Sequence, residues 1–254
     1  MTNIFFSCPG DYDVTVAVHS DTYPAIDPTK ANLTGKAVFV TGGSRGLGRA
    51  MVLSFARAGA SYIAVGARSD LSRVAKDAEA AALLAGRAAP KFLPINLDIA
   101  DATSVEDAAA AVENAFGRCD IIVNNAGVIG DFALIGDSNP DAWWRVLEVN
   151  LRGPYLISRA FLPLLLKTGD AYVVNISSVG AHLVSPTLSA YQTSKLAVLR
   201  FSQFLNTEYA GKGVTSFAIH PGNIPTDMVG GPEGVPDNLK QSPYYPTRAR
   251  DLVC

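Results

Sequence analysis

Cysteine, histidine and clustered basic residues are scarce in this sequence. Its 254 residues include three cysteines, far apart and without a CxxC pair, and three histidines. These counts exclude a disulfide framework and the usual spacing of zinc ligands, so we expect no metal site. The net charge is −2 and no run of Lys and Arg is dense enough to follow a phosphate backbone, which argues against a nucleic-acid partner.

Long apolar segments are lacking as well. The longest apolar stretch, residues 156–166, is interrupted by Ser158 and Arg159, and no basic region precedes the short apolar patch near the N-terminus. The pattern indicates neither a membrane span nor a secretory signal, so we expect a soluble, cytoplasmic protein. Hydrophobic residues nevertheless make up 48% of the chain and charged residues 17%, which is typical of a protein with one large core.

Short apolar runs alternate with Ala-rich helical patterns from Gly35 onward. The expected strands read KAVFV, SYIAV, KFLPI, DIIV, AYVVNI and VTSFAI, and the expected helices cover residues 47–58, 70–85, 101–116, 139–167 and 189–210. Strands separated by helices run parallel, and strands buried on both faces read as continuous apolar runs. The sequence therefore predicts a doubly wound, Rossmann-like α/β fold with a parallel sheet of about six strands.

Two flanking segments differ in composition from this region. Residues 1–33 contain three prolines and no sustained hydrophobic period, so we interpret them as an N-terminal extension. Residues 34–228 would form the domain. Residues 229–254 are rich in Pro and Gly and contain no strand-like run, so we interpret them as an atypical C-terminal tail.

Three short motifs lie where expected strands end. The first strand runs into a glycine-rich loop, TGGSRGLG at 41–48, and the fourth into NNAG at 124–127. Ser177 and Ser178 follow the fifth strand, and their side chains should point to opposite faces. Taken alone, each of these segments also fits an ordinary turn. A glycine loop between a strand and a helix is, however, the pattern that cradles a pyrophosphate.

Tyr191 and Lys195 are spaced four residues apart in the last expected helix. This spacing puts the phenol and the ammonium on one helix face, together with Val198 and Leu199. A lysine on an apolar face costs desolvation energy unless its charge is used. An amphipathic helix with a snorkelling lysine is the alternative interpretation.

This ordered set of motifs resembles the short-chain dehydrogenase/reductase superfamily, and most closely its fungal members. The resemblance covers about residues 33–228 and includes a serine, Ser178, thirteen positions before Tyr191. It implies that Tyr191 is the general acid/base, that Lys195 lowers the phenol pKa and holds the nicotinamide ribose, and that Ser178 binds the substrate oxygen. Asn150 would keep a water between Lys195 and solvent.

The resemblance also implies a set of cofactor-binding residues along the cleft. They run from the pyrophosphate loop through the adenine end to the nicotinamide end: Gly42, Ser44, Arg45, Gly46, Leu47, Gly48, Arg68, Asp98, Ile99, Asn125, Ala126, Gly127, Tyr191, Lys195, Pro221, Gly222, Ile224 and Thr226.

The second strand ends without the acidic residue that NAD-preferring relatives carry. It reads VGARS at 65–69, with Arg45 in the glycine loop. Two guanidinium groups near the adenosine ribose suit a 2′-phosphate, so the sequence favours NADP(H). Arg68 at the start of a solvated loop is the alternative interpretation.

These residues predict an NADPH-dependent oxidoreductase that interconverts a ketone and a secondary alcohol on a small, largely apolar carbonyl or alcohol substrate, in fungal specialised metabolism. Val179, Leu183, Val184 and Met228 would make the cleft apolar. A non-catalytic cofactor-binding module and a dehydratase or epimerase of the same fold are the alternatives. Only 28 residues follow Thr226, so the family's seventh strand is expected to be missing, and we expect a homodimer built on the two long helices.

Overall fold

The computed structural model describes residues 23–222, 224 and 226–229. Six parallel strands form its sheet, in the spatial order β3-β2-β1-β4-β5-β6. The strands are β1 Ala37–Thr41, β2 Tyr62–Ala67, β3 Lys91–Asn96, β4 Ile121–Asn124, β5 Ala171–Ile176 and β6 Val214–Ile219. The helices are α1 Gly46–Arg57, α2 Ser72–Leu84, α3 Ala102–Phe116, α4 Pro140–Leu147, α5 Gly153–Thr168 and α6 Ser189–Tyr209. The predicted doubly wound fold is confirmed.

Two apolar cores lie on opposite faces of the sheet. Phe39 points to the face covered by α3, α5 and α6, where it stacks on Phe161 with ring centroids 4.5 Å apart. Its neighbours Val38 and Val40 point to the face covered by α1 and α2. This alternation follows from the period of two along a strand. The central strands β1 and β2 are buried on both faces, as expected from their sequences.

The strands at the two edges of this sheet, β3 and β6, are less buried than expected from their apolar sequences. In β3 no residue is fully buried, and in β6 Phe217 and Ile219 stay 48% and 40% exposed. Each has one strand neighbour instead of two, so half of its backbone surface is uncovered. Pro94, which has no N–H to donate, is tolerated in β3 for the same reason.

Most helix ends follow signals in the sequence, which places caps at Asn139 and Asp101 and helix stops at four glycines, Gly59, Gly86, Gly117 and Gly211. Asn139 and Asp101 cap α4 and α3 by accepting hydrogen bonds from the first free N–H groups. Left-handed glycines lie where α1, α2 and α3 end, at Gly59, Gly86 and Gly117. The fourth prediction, Gly211, is wrong: it lies inside a short 3₁₀ turn, and the left-handed residue is Gly213.

The long helix predicted over 139–167 is interrupted. Between α4 and α5 the backbone forms a π-helical turn, Glu148–Arg152. Pro154 has no N–H, so it cannot donate to the carbonyl of Asn150 four residues earlier, and the regular ladder fails at that point. The Gly153 N–H bonds instead to the carbonyl of Glu148. The break places Asn150 at a bend that faces the carboxyl edge of the sheet.

Several sequence predictions concern residues outside the described part of the chain. Residues 1–22 and 230–254 carry most of the predicted extension and tail, and the missing seventh strand would also fall there. The boundaries at 33/34 and 228/229 stay predictions. In the described part, no helix is long and apolar enough to cross a membrane, and no cluster of three or more His, Cys, Asp or Glu could hold a metal ion.

Candidate active site

A cleft of about 810 Å³ opens at the carboxyl edge of the sheet. It lies where β1 and β4 are neighbours and the winding of the chain reverses, which is the position where open α/β sheets bind ligands. All of the predicted site residues line it except Asn150, which is buried behind the wall. The order of the strands therefore brings together motifs that are far apart in the chain, from Thr41 to Thr226.

The glycine loop between β1 and α1 forms the floor of the cleft. Gly42 has φ +68°, and a Cβ there would lie 2.8 Å from the Cα of Ala126. At Gly48 a Cβ would lie 2.3 Å from the Gly42 carbonyl oxygen. Side chains are therefore excluded at both positions. No side chain caps the first turn of α1, so its N–H groups can bind an anion such as a pyrophosphate.

Asn125 holds this loop in place from the end of β4. Its Nδ2 donates to the carbonyls of Thr41 and Gly42 at 3.0 and 3.2 Å. The Thr41 hydroxyl oxygen in turn accepts from the backbone N–H groups of Asn125 and Ala126, both at 3.1 Å. Thr41 was not predicted as a site residue. Its position between a buried strand and the first glycine of the loop could have indicated this role. The network ties the ends of β1 and β4 together under the cleft.

Ser178, Tyr191 and Lys195 meet at the other end of the cleft. Tyr191 shares a hydrogen bond with the side chain of Ser178, whose Oγ also accepts from the Gly180 N–H at 3.0 Å. The Lys195 Nζ lies 5.7 Å from the centre of the Tyr191 ring and donates to the Ile176 carbonyl at 2.8 Å. Ser177 points away: it is buried, and its Oγ donates to the Lys195 carbonyl at 3.0 Å.

Burial controls the protonation of this group. It raises the pKa of the Tyr191 phenol, and the hydrogen bond with Ser178 offsets part of that rise. The resemblance implies that the charge of Lys195 lowers the phenol pKa; this stays a prediction, because the rise seen here comes from burial. Burial also lowers the pKa of Lys195 to about 8, because the residue is only 5% exposed and the charged form is poorly hydrated.

Asn150 acts on the site through its neighbours. Its Oδ1 accepts from the Val128 N–H at 2.8 Å, and its Nδ2 donates to the Val128 carbonyl at 2.8 Å and to the Ser194 hydroxyl at 3.1 Å. The Ser194 hydroxyl donates to the Tyr191 carbonyl at 2.6 Å. Both protons of the carboxamide nitrogen are therefore used, while Oδ1 keeps one acceptor site, so the water role of Asn150 stays a prediction. Ser194 was missed, although it lies three residues after Tyr191 on the buried face of α6.

Two arginines line the opposite end of the cleft, but in different settings. Arg68 follows β2 and is exposed. Arg45 pairs with Asp227 across the cleft, with Nη1 and Oδ2 3.3 Å apart, so its charge is shared. The nearest acidic residue after β2, Asp70, accepts from the N–H and hydroxyl of Ser72 at the start of α2. That carboxylate is therefore engaged in capping a helix.

The apolar part of the wall differs from the prediction. Met228 lines the cleft as expected, whereas Val179, Leu183 and Val184 do not. Their place is taken by Val128, Ile129 and Val149, which follow β4 and lie on the π-helical turn. His182 is exposed and does not line the cleft.

A doubly wound sheet with a glycine loop at its switch point defines a dinucleotide-binding α/β protein. Comparison with known proteins identifies the family. The short chain dehydrogenase family model matches residues 36–233, and the chain belongs to this family. Members are oxidoreductases that use a nicotinamide cofactor, NAD(P)(H), and act on small molecules.

Individual relatives agree with this assignment. The chain is 64% identical over 232 residues to the short chain dehydrogenase pigC of Monascus ruber, covering 91% of this chain and 77% of the relative. It is 58% identical over 235 residues to tazN of Aspergillus terreus, covering 91% of this chain and half of the relative. A solved short-chain type dehydrogenase/reductase from Mycobacterium marinum superposes with a TM-score of 0.72 at 28% identity, covering 78% of this chain and 77% of that one. The resemblance to fungal members is confirmed.

Proposed function

We propose that the protein is an NADPH-dependent oxidoreductase that interconverts a ketone and a secondary alcohol on a small, largely apolar molecule. The observation that carries this proposal is the meeting of Ser178, Tyr191 and Lys195 in the cleft that also contains the glycine loop. A proton donor, a hydrogen-bond donor for an oxygen and a buried cation are the groups that carbonyl reduction needs. The fungal origin of the two relatives agrees with a substrate from fungal specialised metabolism.

Tyr191 would donate the proton to the carbonyl oxygen as that oxygen gains negative charge. The phenol is protonated at neutral pH, because burial raises its pKa from an ordinary value that is already well above 7, so the proton is available for transfer. Ser178 would bind the same oxygen with its hydroxyl, since its Oγ already accepts from Gly180 and its proton is left for another acceptor. Bound NADPH supplies the hydride.

Lys195 would hold the ribose next to the nicotinamide and stabilise the phenolate that remains after proton transfer. Its Nζ has three protons, of which the Ile176 carbonyl accepts one at 2.8 Å. The other two can reach ribose hydroxyls. Asn150 would be a positioning residue in this scheme, because its side chain is used to orient Val128 and Ser194. Any water that returns protons to Lys195 would bind the backbone carbonyl of Asn150.

The cleft fits a dinucleotide, and its adenosine end favours a 2′-phosphate. The space that a Cβ would fill at Gly42 and Gly48 is kept open, and the start of α1 offers free N–H groups. Arg68 would bind the 2′-phosphate, with Arg45 contributing when it releases Asp227. One carboxylate oxygen of Asp70 is already engaged by the N–H and hydroxyl of Ser72, which makes this residue less suited to bind the ribose hydroxyls of NADH.

Replacing Tyr191 with Phe tests the proposal directly. The ring still packs, but the transferable proton is lost, so reduction of an apolar ketone such as phenanthrenequinone should fall roughly 10²–10⁴-fold. NADPH consumption followed by absorbance gives the rate, and calorimetry should show unchanged NADPH affinity. Tyr155→Phe, at an exposed position on α5, is the matched control.

The same assay separates the alternatives. A wild-type protein that binds NADPH but reduces no carbonyl compound would support a non-catalytic binding module. Conversion of substrate without net consumption of NADPH would support a dehydratase or epimerase. If Tyr191→Phe kept more than about a tenth of the wild-type rate, Tyr191 would not be the acid.

A further inference from the structure

A buried glutamine lies next to Tyr191 and belongs to no motif of the sequence analysis. Gln192 is 8% exposed, and its carboxamide faces Ser185, which is also 8% exposed. The Gln192 Oε1 accepts from the Ser185 backbone N–H at 2.8 Å, and its Nε2 donates to the Ser185 Oγ at 3.0 Å. A buried amide with both ends paired to one residue fixes that residue in distance and direction.

Ser185 lies in the segment of residues 179–188, which connects Ser178 to the helix that carries Tyr191. The loop starts directly after Ser178 and leads into α6, where Tyr191 lies in the first turn. Gln192 touches it near its beginning as well: a Cβ at Gly180 would lie 3.4 Å from the Gln192 Cγ. The Gly180 N–H is the donor that orients the Ser178 Oγ. One side chain thus contacts the loop near both ends.

The backbone of this loop is strained. Thr187 has φ +70°, and it is the non-glycine residue with a positive φ in the described part of the chain. For a β-branched residue this conformation costs about 1–3 kcal/mol, and it persists where surrounding contacts hold it. Thr187 lies between Ser185 and Gln192, inside the segment closed by their hydrogen bonds.

We propose that Gln192 is a positioning residue for the reaction: by holding Ser185 and packing on Gly180, it sets the position of the Ser178 hydroxyl relative to the Tyr191 phenol. This inference rests on the proposed function, because that spacing matters for a carbonyl oxygen bound between the two hydroxyls. A displacement of about 1 Å between reacting groups can reduce a rate roughly 100-fold.

Gln192→Leu tests this inference, because it keeps the side-chain volume and removes both hydrogen bonds. We expect kcat for phenanthrenequinone reduction to fall at least about tenfold, while the dissociation constant of NADPH, whose cleft Gln192 does not line, changes less than about twofold. Thr193→Ala, at the exposed neighbouring position, should behave as wild type. Hydrogen exchange of the Ser185 amide should become faster in Gln192→Leu only.

Ser185→Ala supplies a second route if Gln192→Leu fails to fold. It should lower kcat as well, and the double variant should be no slower than Gln192→Leu, because Ser185→Ala removes one of the two hydrogen bonds that Gln192→Leu already removes. Wild-type kcat in folded Gln192→Leu or Ser185→Ala would overturn the inference and leave the proposed function standing. An inactive wild type would overturn both.

Discussion

Lys195 is a cationic residue held in an environment very different from water. A lysine with a pKa of about 8 loses its proton within the range in which enzymes are assayed. Its ordinary value is about 10.4, so the buried ammonium is destabilised relative to the neutral amine. The cost is tolerated if the charge has a use, and the proposed use is the cofactor ribose.

The titration of Lys195 predicts a pH dependence of cofactor binding. Below pH 8 the free protein carries the ammonium, which donates to the ribose; above pH 8 it carries the amine, and binding must first return the proton. NADPH affinity should therefore be constant below pH 8 and fall up to about tenfold for each further pH unit. Isothermal calorimetry between pH 7 and pH 9.5 measures this.

Lys195→Met is the matched variant for that experiment. It keeps the apolar stem and removes the titrating group, so NADPH binding should be weaker at pH 7 and should no longer change between pH 7 and pH 9.5. A variant with the affinity of wild type would contradict the dual role proposed for Lys195, in cofactor binding and in stabilising the Tyr191 phenolate.

Arg68 decides the cofactor preference in our proposal. Arg68→Ala should weaken the binding of NADPH far more than that of NADH. The NADPH affinity should fall very roughly ten- to hundredfold, since a charge-assisted contact contributes about 1.5–3 kcal/mol. Arg45→Ala should add a smaller effect, because Asp227 already shares that guanidinium. Tryptophan fluorescence quenching measures both affinities.

A control for Arg68 is available on the neighbouring helix. Arg73 is also exposed, at 89% of its side chain, but lies over Asp77. Arg73→Ala should leave both cofactors unaffected. An equal loss of NADPH and NADH affinity in Arg68→Ala would show that this arginine does not contact the 2′-phosphate.

At the scale of elements, the strands are tied together at both ends. At the carboxyl ends, Thr41 and Asn125 join β1 to β4. At the amino ends, Asp120 does the same: its Oδ2 accepts from the Ala37 N–H at 2.8 Å, and both of its oxygens accept from Arg118. The side chain of Asp120 is 1% exposed. These ties keep the two strands beside the cleft in register.

The amino-end tie predicts an acid-sensitive part of the stability. Burial alone would raise the pKa of Asp120, but hydrogen bonds from Arg118 and Ala37 and the charge of Lys36 lower it overall. The stabilisation is therefore present above the unfolded value of about 3.9 and is lost as the pH falls through the lower folded value. Asp120→Asn should cost about 2–3 kcal/mol at pH 7, as judged by urea unfolding.

The difference in unfolding free energy between Asp120→Asn and wild type should then become smaller below about pH 4. Asp170→Asn is the control, since Asp170 pairs with the same Lys36 but is 64% exposed, and such pairs contribute about 0–1 kcal/mol. A constant difference between pH 7 and pH 3 would rule out the carboxylate as the source of the stabilisation.

For the whole molecule, we expect a two-fold dimer without a tetramer. Large apolar side chains are exposed on the helices proposed to pair: Trp144, Tyr155, Leu196 and Phe204 are 47–59% exposed. Leu205, the next residue on the same helix, is buried in the core and is not part of this surface. Phe204→Glu should therefore convert the dimer to a monomer with an unchanged fold.

Light scattering after size exclusion measures this change, with Glu208→Gln on the same helix as a charge-altering control. A tetramer at micromolar concentration would require a second surface and would contradict the expectation. A monomeric wild type would contradict it equally.

Local patterns in the sequence determined the architecture and most of the cleft. The continuous apolar runs of the strands, the capping residues Asn139 and Asp101 and the four motifs are local patterns of a few neighbouring residues, so they can be interpreted without coordinates. β5 and β6 were bounded correctly for this reason. The order of the strands then follows from helical crossovers of one hand, which bring every motif to the same edge.

Tertiary structure decided the partners of the polar groups. Arg45 binds Asp227, 182 residues away, and Asn150 binds Val128, 22 residues away, and no local pattern specifies such pairs. The same holds for burial, which raises the pKa of Tyr191 where a neighbouring lysine alone suggested the reverse. Hydrogen bonds and desolvation depend on which groups packing brings within about 3 Å and removes from water, and both are set only when the whole chain has folded.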